Sequence, residues 1–490
     1  MSQITSMPNV QSLSETKRKL LDRYLREAPS QHTGYSSAIP PRPLGTTVPL
    51  ALSQEQIVLR EELVPQIPPL YNESVTVYRF GSLDVDLLER SFAEVIRRHE
   101  IWRTTYHTVN GARFQVVHPA PKHVHLPFID QRLIPEKERL AETLRLLSED
   151  ARRKFDMQQG PLISASLVRF SEQEFRLYMI VHQSILDGVS VYQVLLDELS
   201  TLYSAYSTGE RPTLPEPPIQ FGDYAEWQRR NLQGEILGKQ LEYWREQLAG
   251  ELPVLAWPTS RRPPQQSFRG SIEPFAFPKT LSNAMRSLAQ RAGSTLFVGL
   301  LSAFVLLLHR YTKQDDLIIG TVSPAGRKRS EVQRLIGYFL NPVPLRFRLR
   351  GIRSFFDLLG HVQSVLGGAI THDDIPLESL VKHLQPKRDP SRSPFFTVAA
   401  SLEPPLADVG PQWSLTPMDL ESGGARWDLY FVWDDRPSQM IGRVQYNPDL
   451  FEREEILSML RDFRQLVEKV LQDPGQSIFD VTLERSIGAA

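Results

Sequence analysis

Between Phe175 and Leu202 the chain changes its hydrophobic period once, and that change narrows the folds open to it. Phe175 to Val181 (FRLYMIV) is an apolar run of strand length. Beyond Gly188 the apolar residues Val191, Val194, Leu195, Leu199 and Leu202 recur at helical spacing. The pattern predicts a buried strand that turns directly into a helix, with the turn written HQSILDG, His182 to Gly188. A second pair points the same way: Ser74 to Phe80 (SVTVYRF) alternates like a strand and Val85 to His99 repeats like a helix. The fold class is therefore α/β or α+β, built of two-layer units.

At 490 residues the chain exceeds the roughly 250 to 300 at which single cores stop growing, so two lobes are expected. Ser14 to Arg26 has a serine N-cap and clustered leucines and predicts a short amphipathic helix. Pro40, Pro41, Pro43 and Pro49 then forbid helix and mark a linker. A proline-rich connector at Pro212 to Pro218 precedes a helix carrying Trp227 and Trp244, and Pro253 to Pro264 is the expected crossing between lobes. The second half restarts with a strand (Gly270 to Phe277), a helix (Leu281 to Ala292), an apolar helix and a strand (Leu317 to Val322). The apolar helix, Leu296 to Leu308, is shorter than the ~18 to 20 residues a bilayer span needs and is expected inside a core. The division is thus residues 1–45 for helix and linker, 46–255 for an N-terminal lobe and 256–490 for a C-terminal lobe.

Charge and cysteine content exclude several classes of function. With 56 basic and 57 acidic residues the net charge is −1, so no global field draws the molecule to nucleic acid or an anionic membrane. No cysteine is present, which removes disulfides, thiolate catalysis and cysteine-based metal sites and suits a reducing compartment. Met1 to Asn9 lacks the basic stretch and apolar run of a secretory signal, and a cytoplasmic location is expected.

His-x-x-x-Asp-Gly is a weak pattern alone, but at the end of a strand it can hold a side chain rigidly while Gly188 relieves the turn. In transfer of an acyl group from a thioester to an amine, such a side chain could accept the amine proton or position the nitrogen. Four residues before Asp187 stands Gln183, and His182 is one step earlier.

The motif in its context resembles that of the condensation domains of nonribosomal peptide synthetases, whose double-histidine motif reads His-His-x-x-x-Asp-Gly. This chain matches it at His182, Asp187 and Gly188 and departs at Gln183, the position of the family's catalytic histidine. Other signatures follow in the expected order. Ser53 to Gln56 (SQEQ) resembles the first, Arg98 to Thr104 (RHEIWRT) the second and Phe221 to Trp227 (FGDYAEW) the fourth. Ile336 to Asn341 (IGYFLN) resembles the fifth, His372 to Pro376 (HDDIP) the sixth and Arg388 to Phe396 (RDPSRSPFF) the seventh.

The resemblance implies a V-shaped pair of chloramphenicol-acetyltransferase-like lobes with a central tunnel. It also implies amide formation between two substrates delivered on the phosphopantetheine arms of upstream (donor) and downstream (acceptor) carrier proteins. Further partners would be other synthetase or polyketide synthase modules, with no bound metal or redox cofactor. Gly320 to Arg327 (GTVSPAGR) resembles a family stretch whose arginine pairs with the motif aspartate, so Arg327 is the expected partner of Asp187. Breaking such a pair from one side would cost roughly 3 to 5 kcal/mol.

Adjacent side chains on a strand point to opposite faces, so His182 is expected to face away from Gln183 and to be structural. His99 and Arg103 stand four apart on one expected helix and, with Asn341, are candidates for lining the tunnel or for packing. His372 is expected at a loop or interface and Trp227 in the core. Gln183 can hydrogen-bond but not titrate, which predicts weakened condensation, by on the order of 10² to 10⁴ if the family histidine is a general base. Glutamine is also the near-isosteric residue an engineered variant would carry. Two alternatives stay open: a non-catalytic docking domain of the same architecture, and an ester-forming or epimerising relative.

Overall fold

The computed structural model describes residues 38–43, 47–63, 66–257, 262–417 and 420–479; the helix expected at Ser14–Arg26 lies outside them. Strand β1 (Val48–Pro49) leads into helix α1 (Leu52–Leu63). The predicted alternating strand is β2 (Asn72–Phe80), with Val75 and Val77 turned into a core. Helix α2 (Val85–Arg98) begins where the Asp84 carboxylate accepts the N–H of Leu87. Strands β3 (Thr104–Val109) and β4 (Ala112–Val117) form a hairpin turning on Asn110 and Gly111, both at positive φ as a two-residue turn of this kind requires. Strand β5 (Phe128–Asp130) and helix α3 (Glu136–Arg152) lead to β6 (Ile163–Ser171) and β7 (Glu174–His182), the apolar strand before the HQSILDG turn.

The helix predicted after Gly188 opens with a wider, π-helical segment over Ser190–Leu195 and continues as α4 (Leu196–Thr208). One helix was expected to carry Trp227 and Trp244, and the structure has two, α5 (Phe221–Asn231) and α6 (Gly234–Gln247). Gly234 adopts φ +55°, open to glycine at little cost, and the chain bends there.

The second half contributes β8 (Ser271–Pro278), α7 (Lys279–Arg291), α8 (Leu296–Thr312), β9 (Asp316–Ser323) and β10 (Asn341–Arg348). It continues through α9 (Phe355–Thr371), α10 (Leu377–Leu384), β11 (Val398–Leu402) and β12 (Trp413–Pro417) to β13 (Leu429–Asp435), β14 (Gln439–Tyr446) and α11 (Arg453–Gln472). Helix α8 is apolar almost all round because it is covered almost all round: Phe304 packs on Phe431 and Trp433 of β13. Among the described residues no single helix is long and apolar enough to cross a membrane.

Two sheets organise the described chain. The first has the order β12-β2-β7-β6-β5 and the second the order β10-β9-β11-β13-β14-β8, while β1, β4 and β3 make a small third. Each large sheet is faced by helices and has its own core. Chain halves and sheets do not coincide, however. Strand β12 pairs antiparallel with β2, from Trp413 opposite Arg79 to Pro417 opposite Val75, and so adds a strand from the second half to the first sheet. Val332, Leu335, Ile336 and Phe339 likewise enter the first core, whereas Leu241, Trp244 and Leu248 enter the second.

Candidate active site

β2 and β7 are paired with Asn72 opposite His182 and Glu73 opposite Val181, and Gln183 N–H then donates to Tyr71 O at 2.7 Å. The turn therefore leaves the sheet in a fixed register. Alternation sends His182 to the face of Tyr178 and Ile180, where its ring sits beside Tyr71 and Phe155 at centroid distances of 6.0 and 6.2 Å. Ser184 N–H donates to its Nδ1 at 3.3 Å, and Ser184 Oγ lies 2.8 Å from the same nitrogen. Burial lowers the imidazole pKa from 6.5 to about 3, so His182 is neutral.

Gln183 starts a single 3₁₀ turn, Gln183–Ile185, and makes its contacts elsewhere. Its Nε2 donates to Glu73 Oε1 at 2.9 Å and its Oε1 accepts from Arg426 Nη1 at 2.8 Å. Glu73 belongs to the first sheet, in phase with Val75 and Val77; Arg426 comes from the loop before β13 and lies over Trp427 and Tyr71, at 4.8 and 5.8 Å. The amide thus joins a carboxylate of the first sheet to a guanidinium of the second half. A primary amide suits this place because it donates on one side and accepts on the other without a charge.

More ionisable groups surround this bridge. Glu403, after β11, accepts from Arg443 of β14 at 2.7 Å, and Tyr192 donates to Asp434 at 3.0 Å. Burial raises the carboxyl pKa of both Glu73 and Glu403. A Cβ at Gly188 would stand 3.1 Å from Glu403 Oε2, so the glycine lets the turn pass close to this cluster.

Asp187 is held without slack. Its Oδ1 accepts from Arg327 Nη2 at 2.7 Å and Ser190 N at 2.7 Å, and its Oδ2 from Arg327 Nε at 2.9 Å and Phe339 N at 3.3 Å. Arg327 spends its remaining donors on Ser190 Oγ and on the carbonyls of Val332 and Gln333, at 2.7, 2.9 and 3.3 Å. All of its N–H groups are thereby used. The pair pins the turn after β7 to the segment before β10.

His99 and Arg103 do not share a helix. α2 ends at Arg98, His99 takes extended angles (φ −111°, ψ 99°), and Glu100–Arg103 forms its own 3₁₀ turn. The cause lies across the core: the buried Glu198 carboxylate receives Arg98 at 2.9 and 3.1 Å and His99 Nε2 at 3.0 Å. Burial pushes the Glu198 pKa up, but these bonds outweigh it and bring it to about 2. Arg103 donates to the carbonyl of His118, just after β4, and Asn341 donates to the carbonyls of Asp373 and Ile375 at 2.8 and 2.7 Å, tying β10 to the loop before α10. His372 caps α9 and stacks on Tyr243 at 4.0 Å, and Trp227 packs against the first core under Arg329.

Of the residues singled out from the sequence, the structure brings together His182, Gln183, Asp187, Gly188 and Arg327, and gives His99, Arg103 and Asn341 framework contacts. Sequence reasoning missed Glu73, Arg426, Glu403 and Arg443. One signal pointed to Glu73, an acid in phase with inward-facing valines; Arg426 lies in a loop with no period to expose it.

Comparison with known proteins defines the class. The condensation domain family model matches residues 45–486, and the chain belongs to the condensation domain family. A linear gramicidin synthase of Brevibacillus parabrevis is 38% identical over 454 residues, which cover 91% of this chain and 6% of that protein. Phosphinothricin tripeptide synthetase PhsC of Streptomyces viridochromogenes is 34% identical over 472 residues, covering 95% and 43%. The chain thus spans less than half the length of either relative. Among solved structures, the X-domain from teicoplanin biosynthesis is 27% identical with a TM-score of 0.77, covering 91% of this chain and all of that one. The first condensation domain of the calcium-dependent antibiotic synthetase shares the fold with a TM-score of 0.79 at 18% identity, covering 89% and 100%.

Proposed function

We propose that this domain forms an amide bond between a carrier-bound acyl or peptidyl thioester and a carrier-bound aminoacyl acceptor, at a site centred on Gln183. The supporting observation is the bridge Glu73–Gln183–Arg426 at the end of β7, where the family motif sets its reacting group and where both halves of the chain supply polar side chains. The named synthetases among the relatives favour the same chemistry. The acceptor amine attacks the thioester carbonyl; Gln183 holds polar partners in line but takes no proton, so transfer is slower than a histidine at this position would allow.

The test is single-turnover transfer between loaded carrier proteins, followed by intact mass, for the chain and for Gln183→His. The variant is expected to be faster by on the order of 10² or more. Equal rates would mean that position 183 requires only a hydrogen-bonding group. A second reading, a docking domain without turnover, is favoured by the likeness to the X-domain, which has been solved in complex with OxyB at 26% identity to this chain. Carrier binding with no product from either form would support it.

A further inference from the structure

Several groups at the junction could take a proton from an amine, among them His182, Asp187, Asp434, Glu403 and Glu73, and of these Glu73 alone is hydrogen-bonded to Gln183 among the described residues. His182 is enclosed by Tyr71 and Phe155, and its Nδ1 is occupied by Ser184. Asp187 has both oxygens filled by Arg327 and two backbone N–H groups. Glu403 is paired with Arg443 at 2.7 Å and makes no hydrogen bond to Gln183 among the described residues. Glu73 differs. One oxygen, Oε1, receives Gln183 Nε2 at 2.9 Å, and Oε2 has no hydrogen-bond partner among the described residues. Glu73 is partly exposed rather than fully buried.

From this geometry we propose that the Glu73 carboxylate is the catalytic proton acceptor of this site, a slower base than a histidine at position 183 would be. The inference rests on the condensation reading. An amine bound against position 183 is within one side chain of Glu73, because the two are directly hydrogen-bonded. The neutral amine nitrogen attacks the thioester carbonyl carbon, forming the C–N bond while its proton passes to Glu73 Oε2. The C–S bond then breaks, and the leaving thiolate takes that proton. Atoms and charge balance with no further reactant. Gln183 keeps the carboxylate aimed, and Arg426 anchors the far end of the amide at 2.8 Å.

The charged and titratable groups around Glu73 are Arg426 from the loop before β13, Arg443 from β14, Glu403 after β11 and Tyr338 before β10. Burial raises the Glu73 pKa first, the two arginines oppose it and Glu403 adds to it, which leaves it above the ordinary 4.5. The rate of this chain should therefore fall on the acid side along two limbs, one from protonation of the acceptor amine and one from Glu73, whereas Gln183→His should add a further limb from the imidazole.

The experiment uses the whole chain with a panel of acyl and aminoacyl N-acetylcysteamine thioesters as donors and acceptors, read by mass under single turnover across pH. Glu73→Gln is expected to lower the rate at saturating acceptor at least tenfold and to remove the Glu73 limb, leaving that of the acceptor amine. Glu73→Asp should recover part of the rate, with thermal unfolding close to that of the parent. Equal rate and pH profile in the parent and Glu73→Gln overturn the inference while leaving the condensation reading intact. So does an inactive parent beside an active Gln183→His. Product from neither overturns both. Should Glu73→Gln fail to fold, a parent profile with no acid limb beyond that of the acceptor amine overturns it.

Discussion

His182 and Gln183 are neighbours in sequence with opposite fates, and the difference is one of protonation as much as direction. His182 stays neutral in the folded state down to about pH 3, whereas in the unfolded chain it takes a proton near 6.5. Because the folded pKa is depressed, its contribution to stability is complete above pH 6.5 and is lost as pH falls toward 3. Between pH 6.5 and 5 the loss is about 2 kcal/mol, from 1.5 pKa units at ~1.4 kcal/mol each. Glu198, with a folded pKa of about 2, adds a loss of the same sign only below its ordinary 4.5. Buried carboxyls with raised pKa values, Asp373 at about 6 among them, act in the opposite sense over this window, so the His182 contribution is read as the difference in urea midpoints at pH 7.5 and 5 between the parent and a variant without the ring. In His182→Asn, which keeps an acceptor for Ser184 N–H without a titrating ring, the midpoint should fall less, or rise more, from pH 7.5 to 5 than in the parent. Identical slopes in the two proteins would show that the ring is protonated in the native state.

At the scale of elements, β12 carries the least expected role. A five-residue strand from the second half lines the edge of the first sheet, where Leu415 is buried in the first core and Trp413 packs on Tyr203 with Arg79 over its ring. Leu415→Ala should cost about 2 to 5 kcal/mol. In hydrogen exchange the loss should appear in β2 and β7, to which β12 is joined, before it appears in β13 some residues further along the chain. Faster exchange confined to β13 would contradict the pairing. This strand also marks where the sequence stopped being legible. β2, β7, α2, α8 and the turn at Gly188 could be read because each has its own period or glycine. The placement of β12 could not, since Trp413–Pro417 is short and its partner lies more than 300 residues away. The same holds for the site. The facing of His182 follows from alternation alone, but the bridge needs Arg426, which reaches Gln183 only through the packing of one half on the other. The break between Arg98 and His99 needed knowledge of Glu198, a hundred residues downstream.

The two large sheets of the described residues are held in relation partly by apolar packing and partly by a closed polar unit, Asp187 with Arg327. Packing fits closely here: a Cβ at Gly337 would come within 2.2 Å of Phe221, so the segment before β10 approaches α5 as only glycine allows. Ser190 closes the unit, since its Oγ receives Gly337 N–H at 3.0 Å as well as Arg327. Arg327→Ala would leave the Asp187 carboxylate buried with only the N–H groups of Ser190 and Phe339, and should cost about 3 to 5 kcal/mol. Asp187→Asn with Arg327→Met removes both charges at similar volume and should be less destabilised than the sum of its single substitutions. The cycle is read by urea unfolding, together with hydrogen exchange of residues 187–195 and 325–340. Both segments should open together in Arg327→Ala, because the guanidinium binds the carboxylate of one and the carbonyls of Val332 and Gln333 in the other. Additive single effects, or opening of one segment alone, would mean that apolar packing rather than this ion pair fixes how the two halves meet around Gln183.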